Sequence, residues 1–254
     1  MAPITKTDQP VVIMGGFLSA DQIYFAMRET LTALTGKHVS VVQTRSVDWL
    51  PSVSQAGWAV LLRKLDRAVR AAAQISDTGK ITLIGHSAGG VLARLYLSPR
   101  PFYGDAFRGY QRVSHLITLG SPHHNRGGLT RGGYMSRWIE QHYPGAAFAP
   151  LVKYTAVSGQ WLRGDQHGSA RERLAYRTYR GICGRGAVWG DGLVPEPSAL
   201  LHGAEHITLK GVSHHSVFGD RWYGNAEVIP LWWNLGQEQH EHSASQQPMD
   251  FPAS

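Results

Sequence analysis

The hexapeptide Gly85-His86-Ser87-Ala88-Gly89-Gly90 constrains this chain more than any other feature. It follows an apolar run, Lys80-Ile81-Thr82-Leu83-Ile84, and precedes a helix-like segment, Val91-Leu92-Ala93-Arg94-Leu95-Tyr96-Leu97. A G-x-S-x-G pentapeptide alone says little. Between a strand and a helix it requires the chain to reverse within a few residues and to leave the serine on a strained, exposed turn. Gly85 and Gly89 remove the side-chain bulk that would hold strand and helix apart. The competing reading, a phosphate-binding Gly-rich turn, lacks both the P-loop lysine and the G-x-G-x-x-G spacing. Ser87 is therefore the candidate nucleophile.

The segments around this turn alternate between strand and helix, the order of a parallel α/β sheet. Val11-Val12-Ile13-Met14 is a short apolar run ending in Gly15-Gly16, followed by a helical stretch over residues 21–34 and a β-rich stretch over 38–42. A long helix is predicted over residues 54–75. Its Trp58, Leu61, Leu62, Leu65, Val69 and Ala72 fall on one face, and Arg63, Lys64, Arg67 and Arg70 on the other. Further strands are expected over residues 113–119, 152–157 and 205–209, and a closing helix over 226–235. Two stretches, 123–150 and 160–190, are too long for ordinary loops and read as caps or functional insertions. Residues 1–236 form one expected domain, and the tail over 237–254 lacks apolar periodicity and reads as disordered.

Composition narrows the classes further. With 254 residues, 43% hydrophobic and 17% charged, the chain can bury a substantial core. A single cysteine, Cys183, excludes an internal disulfide and reads as a buried thiol. The formal charge of +7 predicts attraction to anionic surfaces, a membrane surface among them. The arginines are scattered and no nucleic-acid module accompanies them, so nucleic acid is not an expected partner. Neither a secretory leader nor a membrane-spanning run is visible, so the expectation is a cytoplasmic protein, peripheral to a membrane at most.

A serine hydroxyl becomes a nucleophile only beside a base that takes its proton, and the base is usually a histidine oriented by a carboxylate. In a parallel sheet of this kind these groups follow successive strand ends in the order Ser, Asp or Glu, His. Asp191, in Trp189-Gly190-Asp191-Gly192-Leu193-Val194-Pro195, is the leading acid because its flanking glycines permit a tight turn; Asp165 is the runner-up. Gly211-Val212-Ser213-His214-His215 follows the last predicted strand, and His214 and His215 cannot both face the serine. With 13 histidines, His86, His123 and His206 among them, position rather than identity must select the base. Acyl chemistry also needs donors for the tetrahedral oxyanion. The N–H of Ala88 and that of Phe17, in the loop Gly15-Gly16-Phe17-Leu18, are the candidates.

From Val11 to Leu235 these motifs resemble α/β-hydrolases of the lipase/esterase type, including triacylglycerol lipases and GPI inositol-deacylase-like proteins. The resemblance rests on the Ser87 hexapeptide, Leu119-Gly120-Ser121-Pro122-His123, Asp191-Gly192-Leu193-Val194-Pro195 and Gly211-Val212-Ser213-His214. It implies an α/β-hydrolase fold with a lid or cap insertion, and it sets His214 ahead of His215. It also implies hydrolysis of an apolar acyl ester, most simply a lipid, with no metal or organic cofactor. An acyltransferase using the same residues, or a non-catalytic binding protein on this fold, are the rival functions. The chain departs from such lipases at Gly15-Gly16, where they carry His-Gly.

The insertion after His123 carries a further expectation. Tyr134, Met135, Trp138, Ile139 and His142 group on one side of a helical wheel, and Ser136, Arg137, Glu140 and Gln141 on the other. With Gly127, Gly128, Gly132 and Gly133 before it and Pro144 after it, this helix reads either as a lid over the acyl groove or as a helix packed permanently on the core.

Overall fold

The structure is a computed structural model that describes residues 9–127 and 133–234. The tail over residues 237–254 and the glycines Gly128 and Gly132 lie outside the described residues.

Six parallel strands form the central sheet: β1 (Val11–Met14), β2 (Val39–Val41), β3 (Ile81–His86), β4 (Val113–Leu119), β5 (Lys153–Gln160) and a last strand, Glu205–Lys210. Their spatial order is β2-β1-β3-β4-β5 and then the last strand. Successive side chains point to opposite faces, so β1 divides itself between two cores. Val12 and Met14, with Leu83, Leu116 and Ala156, pack beneath α2 (Gln55–Gln74) and α3 (Ala88–Tyr96). Val11 and Ile13, with Ile84, Ile117 and Val157, pack against α1 (Phe25–Thr35) and the closing helix. Burial on both faces explains why β1 and β3 read as continuous apolar runs.

The predicted amphipathic helix is α2, with Ser54 as its N-cap accepting the Gly57 N–H at 3.3 Å. All six residues of its apolar face are buried, each contributing about 1.5–3 kcal/mol for the larger side chains. Its basic face carries the ion pairs Arg63–Asp105, Lys64–Asp48 and Arg70–Asp66. A 3-10 turn, Asp21–Tyr24, leads into α1, and a second 3-10 segment, Ser46–Val53, precedes α2.

Each of the two long insertions contains a helix. The first holds α4 (Gly133–His142). The second is an antiparallel pair, β6 (Leu162–Arg163) and β7 (Trp189–Gly190), joined through α5 (Ala170–Cys183), which returns the chain to Asp191. A short helix, α6 (Glu196–Ala199), precedes the last strand, now β8, and the closing helix α7 covers Ile229–Trp233. Cys183 ends α5 half-buried rather than buried, with its thiol directed to the Arg185 carbonyl at 3.3 Å. Among the described residues no helix is long and apolar enough to cross a membrane.

Candidate active site

β1 has β2 on one side and β3 on the other, so the loops leaving their carboxyl ends diverge and open a crevice. Ser87 stands there between β3 and α3, at φ 54° and ψ −128°. A side chain rarely occupies that backbone region without surrounding structure to enforce it. Here the Ser87 N–H donates to the Leu119 carbonyl at 2.9 Å, and a Cβ on Gly16 would lie only 2.7 Å from Ser87 Cβ. The elbow is thus pressed directly against the loop that carries Phe17. Among the described residues no protein acceptor takes the N–H of Phe17 or of Ala88.

Asp191 follows β7 and is 1% exposed. Its Oδ1 accepts the N–H groups of Leu193 (3.1 Å) and Val194 (2.7 Å), so the Asp-Gly turn does bind its own backbone. Its Oδ2 remains for other donors and takes two. The Tyr223 hydroxyl donates at 2.9 Å, and burial followed by the Asp191 charge pushes that phenol well up, keeping its proton. The second donor is His214 Nδ1, at 2.8 Å. A carboxylate acceptor requires the imidazole proton on Nδ1, which leaves Nε2 with a lone pair. The acid turn is held from below by Tyr179, whose hydroxyl accepts the Gly192 N–H at 2.9 Å.

The neighbouring His215 turns its ring to Trp222, with centroids 5.0 Å apart. The other candidates also sit elsewhere. Asp165 caps the His167 N–H on an exposed turn, His206 bonds the main chain of Leu201, and buried His123 bonds Thr118.

Ser87 and Ala88 open into a mainly apolar groove of about 520 Å³, walled by Phe17, Leu50, Val53, Val91, Met135 and Ile182. This corrects the expected substrate face of α4. Met135 lines the groove, but Tyr134, Trp138 and Ile139 turn to the core beneath α2. Trp58 lies 5.2 Å from the Tyr134 ring and 5.9 Å from that of Trp138, and Ile139 is fully buried. Ser136, placed by the wheel on the polar face, is buried; its hydroxyl donates to the Pro122 carbonyl at 2.7 Å and it lines the groove. Glu140 pairs with the buried Arg94 at 2.7 Å, fastening the far end of the helix. Leu50 and Val53 carried no sequence signal, because they lie in the 3-10 segment before α2 and belong to no periodic run.

Sheet order, elbow and strand-end loops define an α/β-hydrolase. The family model described as palmitoyl protein thioesterase matches residues 10–177, well over half of the chain, and the chain belongs to that family. The match covers the elbow and α4 and ends before Asp191 and His214. Est1E from Butyrivibrio proteoclasticus, solved with ferulic acid bound, superposes with a TM-score of 0.52 at 15% identity over 96% of this chain and 92% of that one. MGS-MChE2, an α/β-hydrolase enzyme from a lagoon-sediment metagenome, gives 0.50 at 12% identity over 93% and 94%. Against Aspergillus fumigatus lipase B the chain spans 44% of that protein's length, with 13% identity, 78% of this chain covered and a TM-score of 0.45. At these identities the solved structures speak to the fold alone. A search of curated proteins returns no significant match.

Proposed function

We propose that this α/β-hydrolase cleaves long apolar acyl esters, thioesters included, with Ser87 as nucleophile, His214 as base and Asp191 as its orienting acid. Ser87 Oγ attacks the acyl carbon while His214 Nε2 takes the hydroxyl proton. The amides of Phe17 and Ala88 hold the oxyanion. The C–O or C–S bond then breaks, and His214 returns the proton to the departing alcohol or thiol. Water, deprotonated by His214, attacks the acyl-serine and releases the free acid with Ser87 restored. Asp191 keeps the imidazole in the Nδ1–H form throughout.

The placement of Ser87 carries this reading: a strained serine at the wall of an apolar groove, next in the chain to His86, whose ring lies 4.7 Å from that of His214 in the buried His214–Asp191 pair. The family name points to palmitoyl thioesters on proteins, and a groove without charged walls suits such a chain. Phe17, Leu50 and Val53 leave 46–59% of their surface exposed at its rim. With the +7 charge, this supports meeting the acyl chain at an anionic lipid surface.

The test is labelling by a fluorophosphonate in wild type and Ser87→Ala, followed by butanoyl-to-hexadecanoyl series of matched oxygen esters and thioesters. Labelling confined to Ser87, with kcat/KM rising along both series, supports the assignment. Labelling elsewhere, or full turnover in Ser87→Ala, refutes it. Preferential transfer to an added alcohol would redirect it to an acyltransferase.

A further inference from the structure

The first residue of the Gly15-Gly16 turn has no room for a side chain. A Cβ on Gly15 would lie 2.6 Å from Cε2 of Tyr24 and 2.8 Å from Oγ of Ser19. The Tyr24 ring, fully buried, takes that space. Its hydroxyl accepts the Gly16 N–H at 2.9 Å. The Gly16 carbonyl is held from the other side, by Ser19 Oγ at 2.6 Å and Ser19 N–H at 3.1 Å. That carbonyl and the Phe17 N–H share one planar trans peptide, so anchoring the oxygen also sets the direction of the N–H.

The same hydroxyl leads to the base. Tyr24 Oη lies 2.8 Å from His86 Nδ1, and His86 Nε2 lies 3.0 Å from the His214 carbonyl oxygen. A carbonyl can only accept, so the His86 proton is on Nε2 and Nδ1 accepts from Tyr24. Burial agrees with both roles: it raises the Tyr24 phenol, and with the adjacent His214 it pushes His86 well below the ordinary imidazole value. Each link therefore donates in one direction, from Gly16 N–H through Tyr24 and His86 to His214.

We propose that Tyr24 and His86 are positioning residues, forming a one-way hydrogen-bond chain that holds the Phe17 amide and the His214 backbone in fixed relation across the Ser87 elbow. The proposal rests on the Ser87 hydrolase reading. Neither side chain is among those lining the groove, so their effect passes through Phe17 and His214.

Tyr24→Phe keeps the ring beside His86 and Trp222 and removes only the hydroxyl. Outright loss of an oxyanion donor costs about 10²–10³ in kcat, so a loosened donor should cost about 10- to 100-fold with KM within about twofold. A hexadecyl trifluoromethyl ketone, which forms a tetrahedral adduct on serine, should lose affinity in parallel, while the methyl ketone analogue should not. His86→Gln, which retains an N–H donor, should keep more turnover than His86→Leu. The double variant Tyr24→Phe/His86→Leu should lose less than the product of the two single losses, because both side chains belong to one chain of hydrogen bonds. Wild-type kcat and adduct affinity in Tyr24→Phe would overturn the proposal, as would losses that multiply in the double variant. Should Tyr24→Phe not fold, Ser19→Ala must show the same kcat-only loss, and its absence overturns the proposal equally. A wild-type protein unlabelled at Ser87 would instead remove the hydrolase reading and this proposal with it.

Discussion

Replacing Gly89 with alanine tests how closely helix and sheet must approach for the elbow to work. A Cβ at this position would stand 2.2 Å from the Gly15 carbonyl oxygen and 2.7 Å from that of Met14. Both neighbours are main chain, so no rotamer change relieves the clash. Reaching even 3.0 Å requires α3 and the loop after β1 to separate by at least about 0.8 Å. That movement pulls the Ala88 N–H away from the Phe17 N–H, the two donors proposed for the oxyanion. A misplacement of about 1 Å can cost on the order of 10²-fold, so kcat should fall about 10- to 100-fold. Two stability effects oppose each other. Alanine gains about 1 kcal/mol over glycine within a helix, and overpacking costs about 1–3 kcal/mol. The net loss of about 0–2 kcal/mol lowers Tm by no more than about 8 °C in a chain of this size. Turnover of a soluble ester, the rate of fluorophosphonate labelling and a thermal melt read all three quantities. Wild-type turnover with a raised Tm would show that the helix does not press on the loop, and would refute the reasoning.

Other outcomes follow from the same geometry. His214→Ala should lose activity nearly as completely as Ser87→Ala, because triad members act as a unit, whereas His215→Ala should retain most of it; the reverse ranking in steady-state assays would reassign the base. Asp191→Asn should stay folded and lose up to about four orders of magnitude in kcat through the wrong imidazole tautomer, and a loss below tenfold would contradict the role given to Oδ2. Ile139→Ala should cost about 2–5 kcal/mol in denaturant melts while leaving the ratio of long-chain to short-chain turnover unchanged. A changed ratio without loss of stability would restore the lid. Burial holds both His86 and His123 well below the ordinary imidazole value, so each is neutral in the fold and gains a proton on unfolding in acid. Their contribution is complete above about pH 6.5 and falls below it by up to about 1.4 kcal/mol per pH unit for each group. His123→Gln should flatten that acid slope in melts between pH 5 and 8, and stability that increases toward acid would refute it.

What could be read in advance was local. The elbow and the apolar face of α2 are short-range patterns, and the structure realises both with the same residues. The Asp191 turn was legible because two glycines flank one carboxylate. For α4 a lid and a permanently packed helix both stayed open, because a helical wheel sorts residues by polarity and knows nothing of what lies opposite. Trp138 and Ile139 meet Trp58 and its neighbours across a long stretch of chain, while small Ser136 turns inward because the Pro122 carbonyl gives its hydroxyl an acceptor. Tyr24 and His86 are 62 positions apart, so no window along the chain contains the pair. One signal did point there: a loop with glycine in place of an expected histidine leaves a volume that some other side chain must fill.

The location of the crevice follows from chain topology before any side chain is considered. β1 lies inside the sheet, so the chain leaves it toward β2 on one edge and later returns on the other side as β3. The two strand ends are neighbours, with Met14 opposite Gly85, while the connections that follow them run to opposite faces. Backbone amides from both loops can therefore meet at one point, and that point is also the N-terminus of α3, whose unpaired N–H groups favour developing negative charge. A nucleophile placed one residue before that helix forms its oxyanion at the positive end of the dipole. The sheet order creates the crevice, and glycines at 15, 16, 85 and 89 bring its walls together at the point where the proposed nucleophile Ser87 and the proposed donors Phe17 and Ala88 are to share one carbonyl.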